Sequence, residues 1–346
     1  MRALLLVTLA ACGQSGEIVV FDGASETAIL QTDRYELSVV AAGDVDGDGH
    51  GDFFMPSDEA TDLYFGLDRP IATLNGGAGV VPLGDVDGDG RADFLLATTD
   101  DVTYDTTEWF YPGSAHPFDR PGIAVPGSVV AAAAVDVDGD HRADLVVVTD
   151  TSSGTQCGID VYRGGEGFML TPESSIAVPA GGTPAMSLQS AGDIDGDGRE
   201  DLVVAGDCIG DGNIDVYFGG AAITGPPSRM LATGNFPVVA RDFNGDGFGD
   251  LAVTDGDDTL VYFGPDLDAP MTLAGTLADA GDVDGDGYPD VIVITQTNDV
   301  GVYLGGPAID DVLDIDLAQP SGRPFTSAAY VGGGEVVATY AGWRAE

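Results

Sequence analysis

The sequence contains no lysine, and its 12 basic residues, all arginines, stand against 58 acidic residues. The absence of lysine excludes Schiff-base catalysis and a phosphate-binding P-loop. The formal net charge of −46 opposes binding to nucleic-acid phosphates and to anionic lipid headgroups, because both need a basic surface. We therefore expect a cation as the counter-charge and no nucleic-acid partner.

Histidine is also scarce, at three residues. Two of the histidines lie in the Asp-Gly-rich segments described below, and we interpret the third, His116, as a surface residue. The sequence has neither a nucleophile-elbow pattern nor an expected Cys–His pairing, so acyl-transfer chemistry lacks support. We expect no catalytic residues and no enzyme activity. A carboxylate pair acting on polysaccharide, as a hydrolase or a lyase, is the alternative that so many acidic residues leave open.

Only the N-terminus carries a processing signal. Met1-Arg2 is followed by the apolar stretch 3–11 and by Cys12, and residues 9–12 (Leu-Ala-Ala-Cys) resemble the lipobox of bacterial lipoproteins. The resemblance implies a signal peptide over residues 1–11, a lipidated Cys12, and an exported protein anchored in the cell envelope. It would face the periplasm or the cell surface and touch the membrane only through its lipid. An ordinary secretory signal, cut nearby, is the alternative.

The two remaining cysteines, Cys157 and Cys208, precede similar segments, 159–162 and 214–217, which both read Ile-Asp-Val-Tyr. An oxidising compartment permits a disulfide between two neighbouring loops. Two unpaired thiols are the equal alternative.

A nine-residue segment occurs six times in the chain. The first residues of the six copies are Asp44, Asp85, Asp136, Asp193, Asp242 and Asp282, with spacings of 41, 51, 57, 49 and 40 residues. Apolar runs such as 145–148 follow the segment, and an aromatic-Gly signature ends a later run, as in 217–219 and 262–264. Short β-branched and aromatic runs between Gly, Pro and Asp indicate strands. The spacing predicts one four-stranded β-propeller blade, with strands A to D, per repeat.

The two ends of the chain each contain half of a further repeat. Segments 327–331 and 336–340 resemble strands A and B, with glycines in place of the aspartates. Segments 17–23 and 28–31 have the pattern of strands C and D. We therefore predict an all-β, seven-bladed β-propeller over residues 12–346, whose last blade is closed by both termini and leaves no exposed sheet edge.

The repeated segment has the chemistry of a calcium loop. Carboxylates, or an amide, occupy positions 1, 3, 5 and 9, the carbonyl of position 7 adds an oxygen, and calcium takes six to eight oxygens. The predicted ligands are Asp44, Asp46, Asp48, His50 and Asp52; Asp85, Asp87, Asp89, Arg91 and Asp93; Asp136, Asp138, Asp140, Arg142 and Asp144; Asp193, Asp195, Asp197, Arg199 and Asp201; Asp242, Asn244, Asp246, Phe248 and Asp250; and Asp282, Asp284, Asp286, Tyr288 and Asp290. Position 6 is Gly in five copies, as a turn with positive φ prefers, and His141 in the third. We predict five to six Ca²⁺ ions.

An EF-hand shares the first six positions of this spacing, but it places a glutamate at position 12. Here position 12 is apolar in every copy: Met55, Leu96, Val147, Val204, Val253 and Val293. The segment instead resembles the FG-GAP repeat, and residues 17–346 resemble the β-propeller of integrin α-subunits. This resemblance implies calcium in the A–B loops. The departures from the pattern are His141 and the seventh blade, which lacks the aspartates.

The resemblance implies a binding or adhesion module for a protein or glycan ligand, and we expect a monomer. If the A–B loops lie on one face, the B–C loops lie on the other. Three B–C loops are long, over residues 100–107, 151–158 and 206–213. Loops on a rigid scaffold often carry recognition. Tolerated insertions are the alternative interpretation.

Overall fold

The computed structural model describes residues 4–9, 16–22, 25–32, 40–56, 60–65, 72–75, 79–99, 106–150, 156–179, 186–206, 214–231, 235–317, 325–332 and 335–340. These residues form strands joined by loops and turns, with one short 3₁₀ turn at Pro117–Asp119. Among them, no helix has the length and apolar character needed to cross a bilayer. The expected all-β class is confirmed.

The strands occur in chain order as follows. The N-terminal strands are β1 (Leu4–Leu9), β2 (Gly16–Asp22) and β3 (Ser25–Thr32). The first four-stranded sheet contains β4 (Val40–Gly43), β5 (Asp52–Pro56), β6 (Ala60–Tyr64) and β7 (Ala72–Asn75). The second contains β8 (Val80–Gly84), β9 (Asp93–Thr99), β10 (Thr106–Tyr111) and β11 (Ile123–Ala124). The third contains β12 (Ser128–Val135), β13 (Asp144–Asp150), β14 (Gln156–Tyr162) and β15 (Ser174–Pro179).

The second half of the chain repeats this pattern. The fourth sheet contains β16 (Met186–Gly192), β17 (Asp201–Gly206), β18 (Ile214–Tyr217) and β19 (Arg229–Leu231). The fifth contains β20 (Asn235–Arg241), β21 (Asp250–Asp255), β22 (Asp258–Tyr262) and β23 (Met271–Ala274). The sixth contains β24 (Thr276–Gly281), β25 (Asp290–Ile294), β26 (Val300–Tyr303) and β27 (Ile315–Leu317). The last strands are β28 (Phe325–Gly332) and β29 (Glu335–Tyr340).

Each of the six four-stranded sheets is antiparallel and keeps the strands in sequence order. Strands A, B, C and D of one repeat therefore form one sheet, as the repeat pattern predicts. The terminal strands form two smaller sheets, with the orders β1-β2-β3 and β28-β29. The segments predicted as the four strands of a shared blade are thus all strands, in two separate sheets.

Strand B is buried on both of its faces. Neighbouring residues in this strand, such as Leu95 and Leu96 in β9 and Ile292 and Val293 in β25, are at most 1% exposed. Side chains of adjacent residues point to opposite sides of a sheet. This burial explains why strand B reads as an unbroken apolar run, and it places the apolar position 12 in the core.

The chain divides into two compact units. One consists mainly of the N-terminal strands and the first three four-stranded sheets, and the other mainly of the last three and the C-terminal strands. Within each unit, apolar side chains of neighbouring sheets share a core. Phe54 of β5 and Phe94 of β9 belong to one cluster, with their rings 4.8 Å apart. In the other unit, Val253 of β21 shares a cluster with Val203 of β17.

Candidate metal sites

The six Asp-rich segments are the A–B loops of the six four-stranded sheets. In each segment, position 9 is the first residue of strand B, for example Asp93 of β9 and Asp290 of β25. The pairing of strands A and B brings the two ends of the loop together, as in Gly84 opposite Asp93. The loop therefore closes on itself within nine residues.

The carboxylate at position 1 accepts backbone hydrogen bonds from the middle of its own loop. Oδ1 of Asp193 accepts from the N–H groups of Gly196 and Asp197, at 2.7 and 3.0 Å, and Oδ2 accepts from Gly198 at 2.9 Å. Asp44 and Asp242 show the same three bonds. These bonds fix the curvature of the loop around the carboxylate.

Positions 3 and 5 continue this pattern with one bond each. Oδ1 of position 3 accepts from the amide of position 5, as in Asp284 and Asp286 at 3.0 Å. Oδ1 of position 5 accepts from the amide of position 7, as in Asp286 and Tyr288 at 2.9 Å. Successive acidic side chains therefore turn inward along the loop.

Position 9 is a buried carboxylate, and the sequence reasoning missed its structural role. In the six repeats this aspartate is 0 to 3% exposed. In Asp201, Oδ2 accepts from the N–H of Ile194 and Oδ1 from the N–H of Gly219, both at 2.7 Å. Gly219 is the glycine of the aromatic-Gly signature. Position 9 thus joins the start of its own loop to the end of strand C.

Five of the six loops bring carboxylate oxygens within 4.8 Å of one another. The groups are Asp44, Asp46 and Asp48; Asp85, Asp87 and Asp93; Asp136, Asp138 and Asp144; Asp193, Asp195 and Asp197; and Asp282, Asp284 and Asp290. Together these groups use positions 1, 3, 5 and 9, which the spacing predicted as ligands. The fifth loop, which has Asn244 at position 3, is not one of these five groups.

The electrostatics of the loops disfavour several negative charges so close together. Burial raises the pKa of Asp93, Asp201 and Asp250, at position 9, to about 6. At position 3, burial and then the negative charge at position 5 raise the pKa values of Asp87 and Asp195. A bound cation relieves both effects, because it replaces lost hydration and opposes the repulsion.

Position 6 needs a left-handed backbone in every copy. The five glycines at this position have φ between +88° and +96°, and His141 in the third loop has φ +68°. A non-glycine residue in this region costs about 1–2 kcal/mol. The third loop therefore has the same backbone conformation at position 6 as the other five, but with strain at His141.

The signature glycine is required because two loops meet there. A Cβ atom on Gly305 would lie 2.1 Å from the carbonyl oxygen of Pro289 in its own loop and 3.0 Å from that of Phe243 in the preceding loop. The next amide, of Gly306, donates to the Phe243 carbonyl at 2.7 Å. Gly164 and Gly219 make the same close approach. Neighbouring metal loops are thus held together by backbone contacts.

Position 7 adds a side-chain contact between neighbouring loops. Arg91 Nε donates to the carbonyl oxygen of Asp46 in the preceding loop, and Arg199 Nε to that of Asp138, at 3.1 and 3.2 Å. In the following repeats an aromatic ring takes this place, since Phe248 lies over Gly196 of the preceding loop. The sequence assigned position 7 only a carbonyl ligand, and the side chain is a further feature.

Several predicted features lie partly or wholly outside the described residues. These are Cys12, Cys208 and most of the three long B–C loops. Cys157 forms a disulfide bond, which excludes a free thiol there, and its predicted partner Cys208 is among the undescribed residues. His116 is exposed and precedes the 3₁₀ turn, as its interpretation as a surface residue predicts.

Comparisons with known proteins agree with this geometry. The family model described as an FG-GAP-like repeat matches residues 85–147 and again residues 136–204. No curated protein matches the sequence. Among solved structures, the Dos1 propeller is similar with a TM-score of 0.55 and 11% identity, over 96% of this chain and 85% of that chain. BBS1N, solved in complex with ARL6DN, has a TM-score of 0.53 and 16% identity over 87% and 88% of the two chains. A functionally unknown protein from Desulfotomaculum acetoxidans has a TM-score of 0.51 and 12% identity over 98% and 99%.

The six antiparallel four-stranded sheets and these structural neighbours define a β-propeller. Its A–B loops carry the aspartates of the matched repeat. The chain is a β-propeller that contains FG-GAP-like repeats over residues 85–147 and 136–204.

Proposed function

We propose that the A–B loops bind calcium and that calcium stabilises the propeller. The observation that carries this proposal is the convergence of three carboxylates within 4.8 Å in five separate loops. Carboxylate oxygens are hard ligands, and the hard cations Ca²⁺ and Mg²⁺ prefer them to soft sulfur ligands. The remaining loop, the fifth, which begins at Asp242, offers Asn244 as a neutral oxygen ligand. Calcium in all six loops changes the net charge from −46 to about −34.

Calcium is favoured over magnesium because the loops offer several side-chain and backbone oxygens in one turn, whereas Mg²⁺ usually keeps several waters. The residues at positions 1, 3, 5 and 9 hold the ion, and position 9 also accepts backbone hydrogen bonds. The test is the thermal unfolding midpoint in excess EGTA against excess calcium. A marked decrease in EGTA is expected, and an unchanged midpoint would contradict the proposal.

We also propose that the mature chain begins at a lipidated Cys12 and that its seventh blade combines both termini. The strand order β1-β2-β3 supports the second point. β1 covers residues 4–9, which would be removed as part of the signal peptide. It pairs along one edge of β2. Removal of β1 exposes the edge to which the predicted strand B, β29, would pair. An exposed edge of this kind favours strand addition.

Mass spectrometry of the protein from bacterial envelopes tests this maturation. A diacylglyceryl or triacyl modification on Cys12 as the first residue is expected. An unmodified N-terminus at any other position contradicts the anchoring.

For the molecule as a whole, we propose a non-catalytic binding module that is monomeric and displayed on the cell envelope, with a protein or glycan ligand. The support comes from the structure. The hydrogen-bonded A–B loops order one end of each of the six four-stranded sheets, so the loops at the other end extend from a rigid scaffold. Screening the calcium-loaded and EGTA-treated chain on a glycan array and against envelope proteins tests this function. Ligand binding that requires calcium is expected, and hydrolysis or elimination of a polysaccharide would contradict it.

A further inference from the structure

A polar pocket lies between the fifth and sixth four-stranded sheets, at the end of the strands opposite to the metal loops. Its volume is about 320 Å³, and it is lined by Asp257, Thr276, Ile294, Thr295, Gln296 and Asn298. The strand pairing fixes its location, because Thr276 lies opposite Ile294 whereas Gly281 lies opposite Asp290 of the metal loop. We call this the hairpin pocket, after the β21–β22 and β25–β26 turns that form its walls.

The lining selects the chemistry of a ligand. Five of its six residues are polar, and they include an amide pair, two hydroxyl groups and one carboxylate. The amides and hydroxyl groups both donate and accept hydrogen bonds, and the carboxylate accepts them. The lining contains no basic residue, so it lacks a partner for a phosphate or a carboxylate. The single aliphatic side chain, Ile294, offers one small apolar contact. This combination matches a neutral, hydroxyl-rich molecule.

The β25–β26 wall is pre-formed by its own hydrogen bonds. The backbone N–H of Thr295 donates to the carbonyl of Asp299 at 2.9 Å, and the N–H of Asn298 donates to the carbonyl of Thr295 at 2.8 Å. The hydroxyl of Thr297 donates to the carboxylate of Asp299 at 2.6 Å. Asn298 has φ +60°, a conformation that asparagine tolerates better than most residues.

The opposite wall is tied to the core in a similar way. Gly275 donates its N–H to the carbonyl of Asp257 at 3.2 Å. The buried hydroxyl of Thr259 donates to the carbonyl of Gly275 at 2.8 Å. Both walls are therefore ordered before a ligand arrives, which lowers the entropy that binding must overcome.

We propose that the hairpin pocket binds one neutral sugar unit. This inference rests on the proposed binding function and names a site for its glycan form. The volume lies at the small end of the range for ligand pockets, about 300–1,000 Å³, which suits a single ring with its hydroxyl groups. The site belongs to two of the repeats with short B–C turns, not to the three repeats whose long B–C loops suggested recognition.

Isothermal titration and saturation-transfer NMR of the calcium-loaded chain test the proposal. The probes are neutral hexoses and N-acetylhexosamines, with glucuronate and inorganic phosphate as anionic controls. At least one neutral sugar is expected to bind with a Kd on the order of 1 mM, and the anions are expected to bind more weakly. Tighter binding of either anion overturns the proposal.

Two variants locate the bound sugar. Thr276→Val removes one hydroxyl, and Asn298→Gly removes the amide while keeping a residue that accepts positive φ. Each is expected to weaken binding by about tenfold. Thr272→Val makes the same chemical change at an exposed position of β23 and is expected to leave the Kd unchanged.

The outcomes separate the pocket from the proposed function. Sugar binding that neither pocket variant weakens overturns the pocket assignment and leaves the binding function intact. Binding of a protein partner without binding of any neutral sugar likewise overturns the pocket assignment and leaves the binding function intact. A chain that binds neither glycans nor proteins in the array and envelope screens contradicts the proposed function itself.

Discussion

The contact between neighbouring metal loops predicts a large effect for Gly305→Ala. The added Cβ would lie 2.1 Å from the carbonyl oxygen of Pro289, a separation at which the backbone must move. Two hydrogen bonds would be lost with that movement. They are the bond from the N–H of Gly305 to Asp290 Oδ1, at 2.8 Å, and the bond from Gly306 to the carbonyl of Phe243, at 2.7 Å.

The magnitude follows from these two bonds. A buried backbone N–H without a partner costs about 1–3 kcal/mol, so the variant should lose about 2–6 kcal/mol of unfolding free energy. Typical domains are stable by only about 5–15 kcal/mol. The loss should be present both in EGTA and in calcium, because it arises from backbone contacts. Calcium affinity should also decrease, since the Gly306 bond ties the fifth loop to the end of strand C in the sixth sheet, and the neighbouring Gly305 bond ties that same end to Asp290 of the sixth loop.

Urea unfolding with and without calcium measures this effect, with Gly79→Ala as the matched control. Gly79 has no atom within 4 Å of an added Cβ and no positive φ, so its variant should stay within about 0.5 kcal/mol of the wild type. If Gly305→Ala is equally neutral, Gly305 does not lie as close to the carbonyls of Pro289 and Phe243 as described, and the reasoning is refuted.

Three further substitutions test single loop positions, each by urea unfolding in calcium and in EGTA. His141→Gly should stabilise the chain by about 1–2 kcal/mol in both conditions, because it removes a left-handed non-glycine residue. Asp195→Asn should reduce stability in calcium only, since the amide oxygen still accepts from the N–H of Asp197 but a negative ligand is lost. Phe248→Ala should weaken calcium binding at the preceding loop by uncovering Gly196.

Each of these has a result that counts against it. Destabilisation by His141→Gly means that the side chain stabilises the loop by more than its strain costs. An equal loss from Asp195→Asn in EGTA assigns the residue a role in folding alone. Asn244→Asp is the matched reverse of that change, and it should strengthen the calcium effect. For Phe248→Ala, an unchanged difference in unfolding free energy between calcium and EGTA shows that the ring does not support calcium binding at the fourth loop.

The strands and the loops could be predicted because both leave a periodic pattern. Strand B reads as an apolar run since both of its faces are buried, as in Leu95 and Leu96. The carboxylates at positions 1, 3 and 5 recur because each turns into the same small loop. The positive φ at position 6 followed from five glycines, and His141 adopts the same conformation.

The roles of other residues could not be predicted because they depend on contacts between segments that are far apart in the sequence, within one repeat or between two. Position 9 resembles a ligand in the sequence, yet it also joins its loop to the signature glycine through buried hydrogen bonds. The side chain at position 7 differs between repeats, as in Arg199 and Phe248, so no single residue type marks its contact with the preceding loop. The hairpin pocket combines two turns about 40 residues apart, and neither turn carries a sequence signal by itself.

The most direct test of the account is the number of calcium ions held by the chain. After dialysis against trace calcium, elemental analysis should give five or six Ca²⁺ per chain, and each double substitution to Ala at positions 1 and 3 of one loop should remove one ion. Asp282→Ala with Asp284→Ala provides such a pair in the sixth loop. A chain that retains no calcium, or the same number after that change, would contradict the assignment of the loops as metal sites.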